Sequence, residues 1–200
     1  NAGNQSKTET PLSFQTLSSS EDDDSLSFQS EVNGYDGCQN FELQGSNPDA
    51  HVFSDYYHSV NSDNVTAPYT LRPFIRFDLS SLPSNVRVIS AVLELTHNLT
   101  EEGMTVSLHP LTLAIDFGLA TRNTIDGVNP WSGGATGGGK VEDPDNDFAD
   151  VPDATLQLGA PGVYRYEVTS TVNSWVSGEM SNNGWLMRSA GGPMVSAPSL

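Results

Sequence analysis

An antiparallel β-sandwich is the fold class this sequence predicts, and three observations predict it. Short runs of alternating apolar and polar residues recur along the chain, turns carrying glycine or proline separate them, and only one short stretch has helical spacing. Alternation with period two sends one set of side chains to a buried face, whereas a helix needs apolar residues three and four apart. A chain of 200 residues is long enough for one domain with a real core and an added arm.

Taken in order, residues 1–40 read as a polar N-terminal arm and residues 41–200 as the sandwich. The first segment is rich in Ser and Thr, carries the acidic run Glu21 to Asp24, and holds too few large apolar residues to offset its ordering entropy alone. Two short alternations interrupt it: Leu12 and Phe14 in "PLSFQTL", Leu26 and Phe28 in "SLSFQS". Such patterns suit donation of a strand to a sheet edge.

From Phe41 the pattern becomes strand-like. "DAHVFSDYYHSV" places aromatic and β-branched residues between turn formers, and "PFIRFDLSSLP" puts Ile75, Phe77 and Leu79 on one face against Phe74, Arg76 and Asp78 on the other. "VRVISAVLELTHN" follows with Val88 and then Ile89, Ala91, Leu93 and Leu95 in alternation, after a turn marked by Pro83 and Asn85. "MTVSLHPLTL" supplies another strand, which Pro110 places at an edge or a bend. "VYRYEVTS" and "GWLMRS" complete the set. Between them Val168, Val172, Trp175 and Val176 recur at helical spacing, with Thr169 or Ser170 as N-cap and Gly178 beyond the end.

The order of these elements resembles the DNRLRE domain, also called the disaggregatase-related repeat, over roughly residues 47–190. The resemblance rests on "RFDLSSLP" at Arg76 to Pro83, on Val168, Thr169, Val172 and Trp175 as a "V-T-x-x-V-x-x-W" helix, on the turn Asn182 to Gly184, and on Arg188 and Ser189. It implies a jelly-roll-like sandwich, extracellular and non-catalytic, of a kind found on surface proteins and polysaccharide-degrading enzymes, where some members bind acidic glycans. The family's closing strand pair has no counterpart in "AGGPMVSAPSL": either the sequence stops short of that pair or another segment fills its edge. A sheet without its last strand has unpaired backbone groups that favour taking a strand from another segment or another copy.

Charge narrows the partners. Eight Lys and Arg against 25 Asp and Glu give a formal charge of −17, which repels nucleic acid. No apolar run approaches the roughly 20 residues needed to span a bilayer, so no membrane insertion is expected. Cys38 is the only cysteine, which rules out an internal disulfide and any multi-cysteine zinc site. Few lysines and the sequons at Asn4, Asn64 and Asn98 fit an extracellular or cell-surface protein whose signal peptide has been removed, although such tripeptides arise by chance in a chain rich in Asn and Ser.

No stretch carries a catalytic signature. "GGATGGGKV" spaces Gly134, Gly139 and Lys140 as a phosphate loop does, but Val141 replaces the metal-binding hydroxyl and acidic residues follow where a helix should. His51, His58, His97 and His109 lack metal-ligand spacing, and no nucleophile elbow is present. Asp143, Asp145 and Asp147 have the one-three-five spacing that aims oxygens at calcium, and Asp150 follows close by, so calcium is the one cofactor the sequence raises. Phe148 and Ala154 stand where an EF-hand needs glycine and glutamate, and a solvated acidic loop explains the run equally well. Tyr56, Tyr57, Tyr69 and Trp131 are candidate sugar platforms, with Arg72 and Arg122 to face an acidic glycan, while Trp175 and Trp185 read as core.

Two functions follow as expectations. One is a non-enzymatic module that binds polysaccharide or attaches to a cell surface. The other is a subunit of an extracellular filament in which copies of the chain exchange a strand from the arm.

Overall fold

The computed structural model describes residues 12–17, 23–44, 49–51, 57–60, 71–83, 86–97, 104–132, 146–190 and 195–198. The strands, in chain order, are β1 (Leu12–Leu17), β2 (Asp23–Phe28), β3 (Cys38–Gln44), β4 (Tyr57–Val60), β5 (Leu71–Phe77), β6 (Arg87–His97), β7 (Thr105–Pro110), β8 (Ala154–Gln157), β9 (Gly162–Glu167), β10 (Trp185–Ala190) and β11 (Val195–Pro198). One helix, α1 (Thr169–Val176), lies between β9 and β10. All the pairings are antiparallel, in a sheet ordered β2-β1-β6-β9, a second ordered β3-β5-β10-β7-β8, and a small pair β11-β4. The all-β class and the sandwich-like arrangement are therefore as the alternation predicts. No helix among the described residues is long and apolar enough to cross a membrane.

The main core forms where the two large sheets face each other. Val88, Ala91, Leu93 and Leu95 of β6 and Tyr166 of β9 meet Ile75, Phe77, Val106, Leu108, Trp185 and Met187 from the other sheet, and Val172 and Trp175 of α1 seal one side. Burial of these side chains is the main favourable contribution to the fold. A second cluster covers the opposite face of the β5 sheet. There Phe41, Phe74 and Leu186 lie under Leu111, Ile115, Phe117, Trp131 and Phe148, which come from the segments after β7. The expected split of β5 into one apolar and one polar face is thus only half right: Phe74 is buried as well, because a loop layer covers the side that alternation alone assigns to solvent.

Local differences from the sequence reading have physical causes. Ile89 is 42% exposed while Val88 is buried. The register of β1 on β6 shifts at this point, from Gln15 opposite Ser90 to Thr16 opposite Val88, so Ile89 is the extra residue of a bulge and turns outward. Pro110 marks no edge, since β7 pairs on both sides, with β10 and β8; it ends the strand. Thr169 opens α1 but does not cap it: its hydroxyl accepts the Ala91 N–H at 2.8 Å, tying the helix to β6. The stretch after Ala190, where no strand was expected, holds β11 paired with β4. The arm boundary drawn at residue 40 falls inside β3, and β1 of the same chain lies along β6.

Candidate functional site

A two-lobed cleft opens at the end of the sandwich where β5 stops and α1 ends. One lobe, of about 410 Å³, is lined by Asp36, Gly37, Gln39, Arg76, Asp78 and Asn182. The other, of about 340 Å³, shares Asp78 and Asn182 and adds Leu79, Ser80, Leu82, Trp175 and Val176. Sequence builds this junction tightly. A Cβ on Gly37 would sit 2.7 Å from the Asp78 Cβ, so glycine lets the entry to β3 lie against the end of β5, where Asp78 N–H donates to Gly37 O at 2.8 Å. Gly184 has φ +88, and a Cβ there would meet Ile75 O at 2.5 Å, so the Asn182-Asn183-Gly184 turn can approach β5 only with glycine at its end.

The polar groups of the first lobe are largely held in place. Arg76 Nε donates to Gln39 Oε1 at 2.9 Å, and its guanidinium lies over the Phe117 ring at 4.4 Å. Desolvation lowers its pKa, against the attraction of Asp116 and Asp78. Asp78 Oδ1 accepts the Ser80 N–H at 2.8 Å, and hydrogen bonding from Ser80 keeps that carboxyl below its usual range. Tyr35 Oη donates to Asp78 O at 3.1 Å, and burial raises its pKa.

In the second lobe two buried polar atoms lack a partner. Asn182 Nδ2 donates to Phe77 O at 2.7 Å, but its Oδ1 accepts nothing among the described residues. Trp175 Nε1 likewise donates to nothing among them, while its ring packs on Trp185 at 4.3 Å between centroids. A buried donor and a buried acceptor left open cost free energy unless a ligand or water meets them. A hydroxyl group does both jobs, since it donates and accepts.

None of the described site residues named from sequence lines this cleft. Trp131 is 1% exposed, tilted against Phe74, with Nε1 donating to Thr121 O at 2.9 Å; it is a core ring of the loop layer and offers no face to a sugar. Arg72 is 5% exposed in β5, where Nη1 donates to Leu71 O, and Arg122 is 7% exposed in the loop layer, so neither presents an open guanidinium. Tyr57 begins β4, and its side chain, with the whole of Tyr56 and Tyr69, lies outside the described residues. Asp143 and Asp145 lie outside them too. Asp147 is fully buried, its Oδ1 accepting the Ser132 N–H at 3.0 Å, and Asp150 is exposed. Among the described residues no group of three or more His, Cys, Asp or Glu is placed to hold a metal. Leu12 and Phe14 lie in β1, Leu26 is 41% exposed and Phe28 is 5% exposed in the main core; Asn4, Asn64 and Asn98 are outside the description.

Other polar constellations have structural work. Asp153 accepts from Thr171 Oγ1 at 2.5 Å and from Trp185 Nε1 at 2.6 Å, joining α1 to β10, and burial raises its pKa. His109 bridges Ser107 Oγ at 2.9 Å and Ala149 O at 2.8 Å, fastening the loop layer to β7. Cys38 is half-buried at the start of β3 beside the main core, and burial pushes its thiol up to about 12. No protein-family model matches the chain, and no curated protein matches it.

Proposed function

We propose that this chain is a non-catalytic, extracellular carbohydrate-binding module and that the cleft around Asp78 and Asn182 holds its glycan. Asn182 and Trp175 both line the second lobe, and the acceptor of one and the donor of the other are unmet among the described residues; this carries the reading, because a ligand rich in hydroxyls offers a group to each. Each lobe falls within the roughly 300–1,000 Å³ of small-molecule sites. Two lobes that share Asp78 and Asn182 fit two consecutive sugar units better than one. The apolar wall of Leu79, Leu82 and Trp175 suits the C–H face of a pyranose, and Gln39 and Arg76 in the other lobe supply fixed donors.

The charge of the site favours a neutral sugar. Asp36 and Asp78 face a single arginine, Arg76, whose neighbours are already carboxylates, and the chain as a whole carries −17. The resemblance of residues 76–83 and 168–189 to the DNRLRE domain supports the extracellular placement.

A panel of neutral and acidic polysaccharides, screened with and without calcium against the native chain and Asn182→Ala, tests the reading. Binding of a neutral glycan that weakens about tenfold in Asn182→Ala is the expected result, the loss of one hydrogen-bonding group. Arg76→Ala should weaken the same ligand. No binding across the panel, or binding indifferent to both substitutions, would refute it.

A further inference from the structure

We propose that the β1–β2 pair exchanges between copies of this chain, so that β1 of one molecule lies on β6 of another. Three observations carry the inference. The first is the site β1 occupies. It fills the edge of β6 from Leu12 opposite Leu93 to Leu17 opposite Arg87, and the bulge at Ile89 fixes the register. An identical strand from a second copy fits that irregular edge as well as the chain's own, whereas a strand without the matching register does not.

The second is the link that carries the pair to β3 in the other sheet. Residues 29–37 turn sharply, and within them Glu31 has φ 62, Asn33 φ 53 and Gly34 φ 79. Asparagine and glycine tolerate the left-handed region, but glutamate is strained there. Glu31 is held by its N–H donating to Tyr35 O at 2.8 Å, while Tyr35 N–H donates to Val32 O at 3.0 Å. Exchange keeps every β1–β6 hydrogen bond and lets this turn open, so the strain counts against the closed monomer alone. A short hinge under strain is the recognised condition for swapping.

The third is how little of β2 is anchored. Of its side chains, Phe28 is buried, packed edge-on against Tyr35 at 5.1 Å, whereas Leu26 is 41% exposed. Among the described side chains of β2, release therefore uncovers one large ring. A charge of −17 opposes association at low salt, so exchange increases as salt screens it.

The test mixes two variants in a Cys38→Ser background. Ser13 and Val92 are paired across β1 and β6, so Ser13→Cys in one chain meets Val92→Cys in another only after exchange. The two are refolded together from denaturant at high concentration in salt, then oxidised. A disulfide-linked heterodimer is the expected result. Its absence, while a single chain bearing both cysteines closes its internal disulfide, overturns the proposal. Light scattering on the unmodified chain after the same refolding reads the outcome without cysteines: multiples of the monomer mass support exchange, and monomer alone overturns it. Glu31→Gly, which removes the strain, should lower the multimer fraction roughly tenfold. An unchanged fraction overturns the role of the hinge. Asp36 and Gly37 at the end of this link also line the first lobe of the cleft, but Asn182 and Trp175 lie outside the link, so failure of exchange leaves the glycan reading standing.

Discussion

His97 shows how one buried residue sets a response to acid. It is fully buried, Tyr166 Oη lies 3.1 Å from its Nε2, and desolvation depresses its pKa to about 4. The unfolded histidine titrates near 6.5. Below that pH the unfolded chain takes up a proton that the fold refuses, so this contribution to stability is intact above about 6.5 and is lost as pH falls toward 4, for about 3 kcal/mol in all. Asp153 runs the other way, because its raised pKa favours the fold at low pH and that part fades as pH rises through the folded value. Urea titrations at neutral and acid pH should show the His97 loss, and His97→Phe should flatten it; an unchanged pH slope in that variant would rule out the assignment. Gly184→Ala should destabilise by about 1–3 kcal/mol, since both its φ and the Ile75 carbonyl oppose a Cβ, and a thermal melt reads it. The turn ending at Gly184 was legible as Asn-Asn-Gly, but the Asn182 oxygen, unmet among the described residues, was not. Its orientation is set by the Phe77 carbonyl, 105 residues away in sequence.

Elements held by side chains rather than by their own propensity explain where pattern reading succeeded and where it slipped. The spacing of Val168, Val172 and Trp175 located α1, yet nothing local showed that the helix is fastened to β6. Asn173 does this, with Oδ1 accepting the Val88 N–H at 2.9 Å and Nδ2 donating to Val88 O at 2.5 Å, beside the bond between Ala91 N–H and the Thr169 hydroxyl. These bonds occupy backbone groups of β6 next to the bulge. Asn173→Ala should therefore cost about 1–3 kcal/mol, the penalty of leaving such groups unmet, and denaturant unfolding with an unchanged m-value should show it. A midpoint indistinguishable from the native chain would mean that water replaces the carboxamide there. Alternation likewise found β5, β6, β7, β9 and β10, while Ile89 fooled it because a bulge depends on the partner strand.

For the molecule as a whole, the layer over the second face of the β5 sheet is the feature that sequence hid. Trp131, Arg72 and Arg122 looked like ligand contacts because loops and alternate strand positions are ordinarily wet, yet all three are buried, Trp131 against Phe74 of a strand far away in the chain. Net charge, by contrast, needs no structure to predict from. A charge of −17 repels itself, so the thermal midpoint should rise by several degrees from low to moderate salt, and a flat salt dependence would show that local pairing already neutralises it. Cys38 sits on β3, an outer strand of its sheet, with its thiol pushed up to about 12. At mildly alkaline pH the folded chain exposes roughly a thousandth of the thiolate that an ordinary cysteine would. Every opening of that strand is thus announced by a burst of reactivity at a single sulfur, and the protein carries its own stopwatch for edge fraying, readable with any thiol reagent and without added labels.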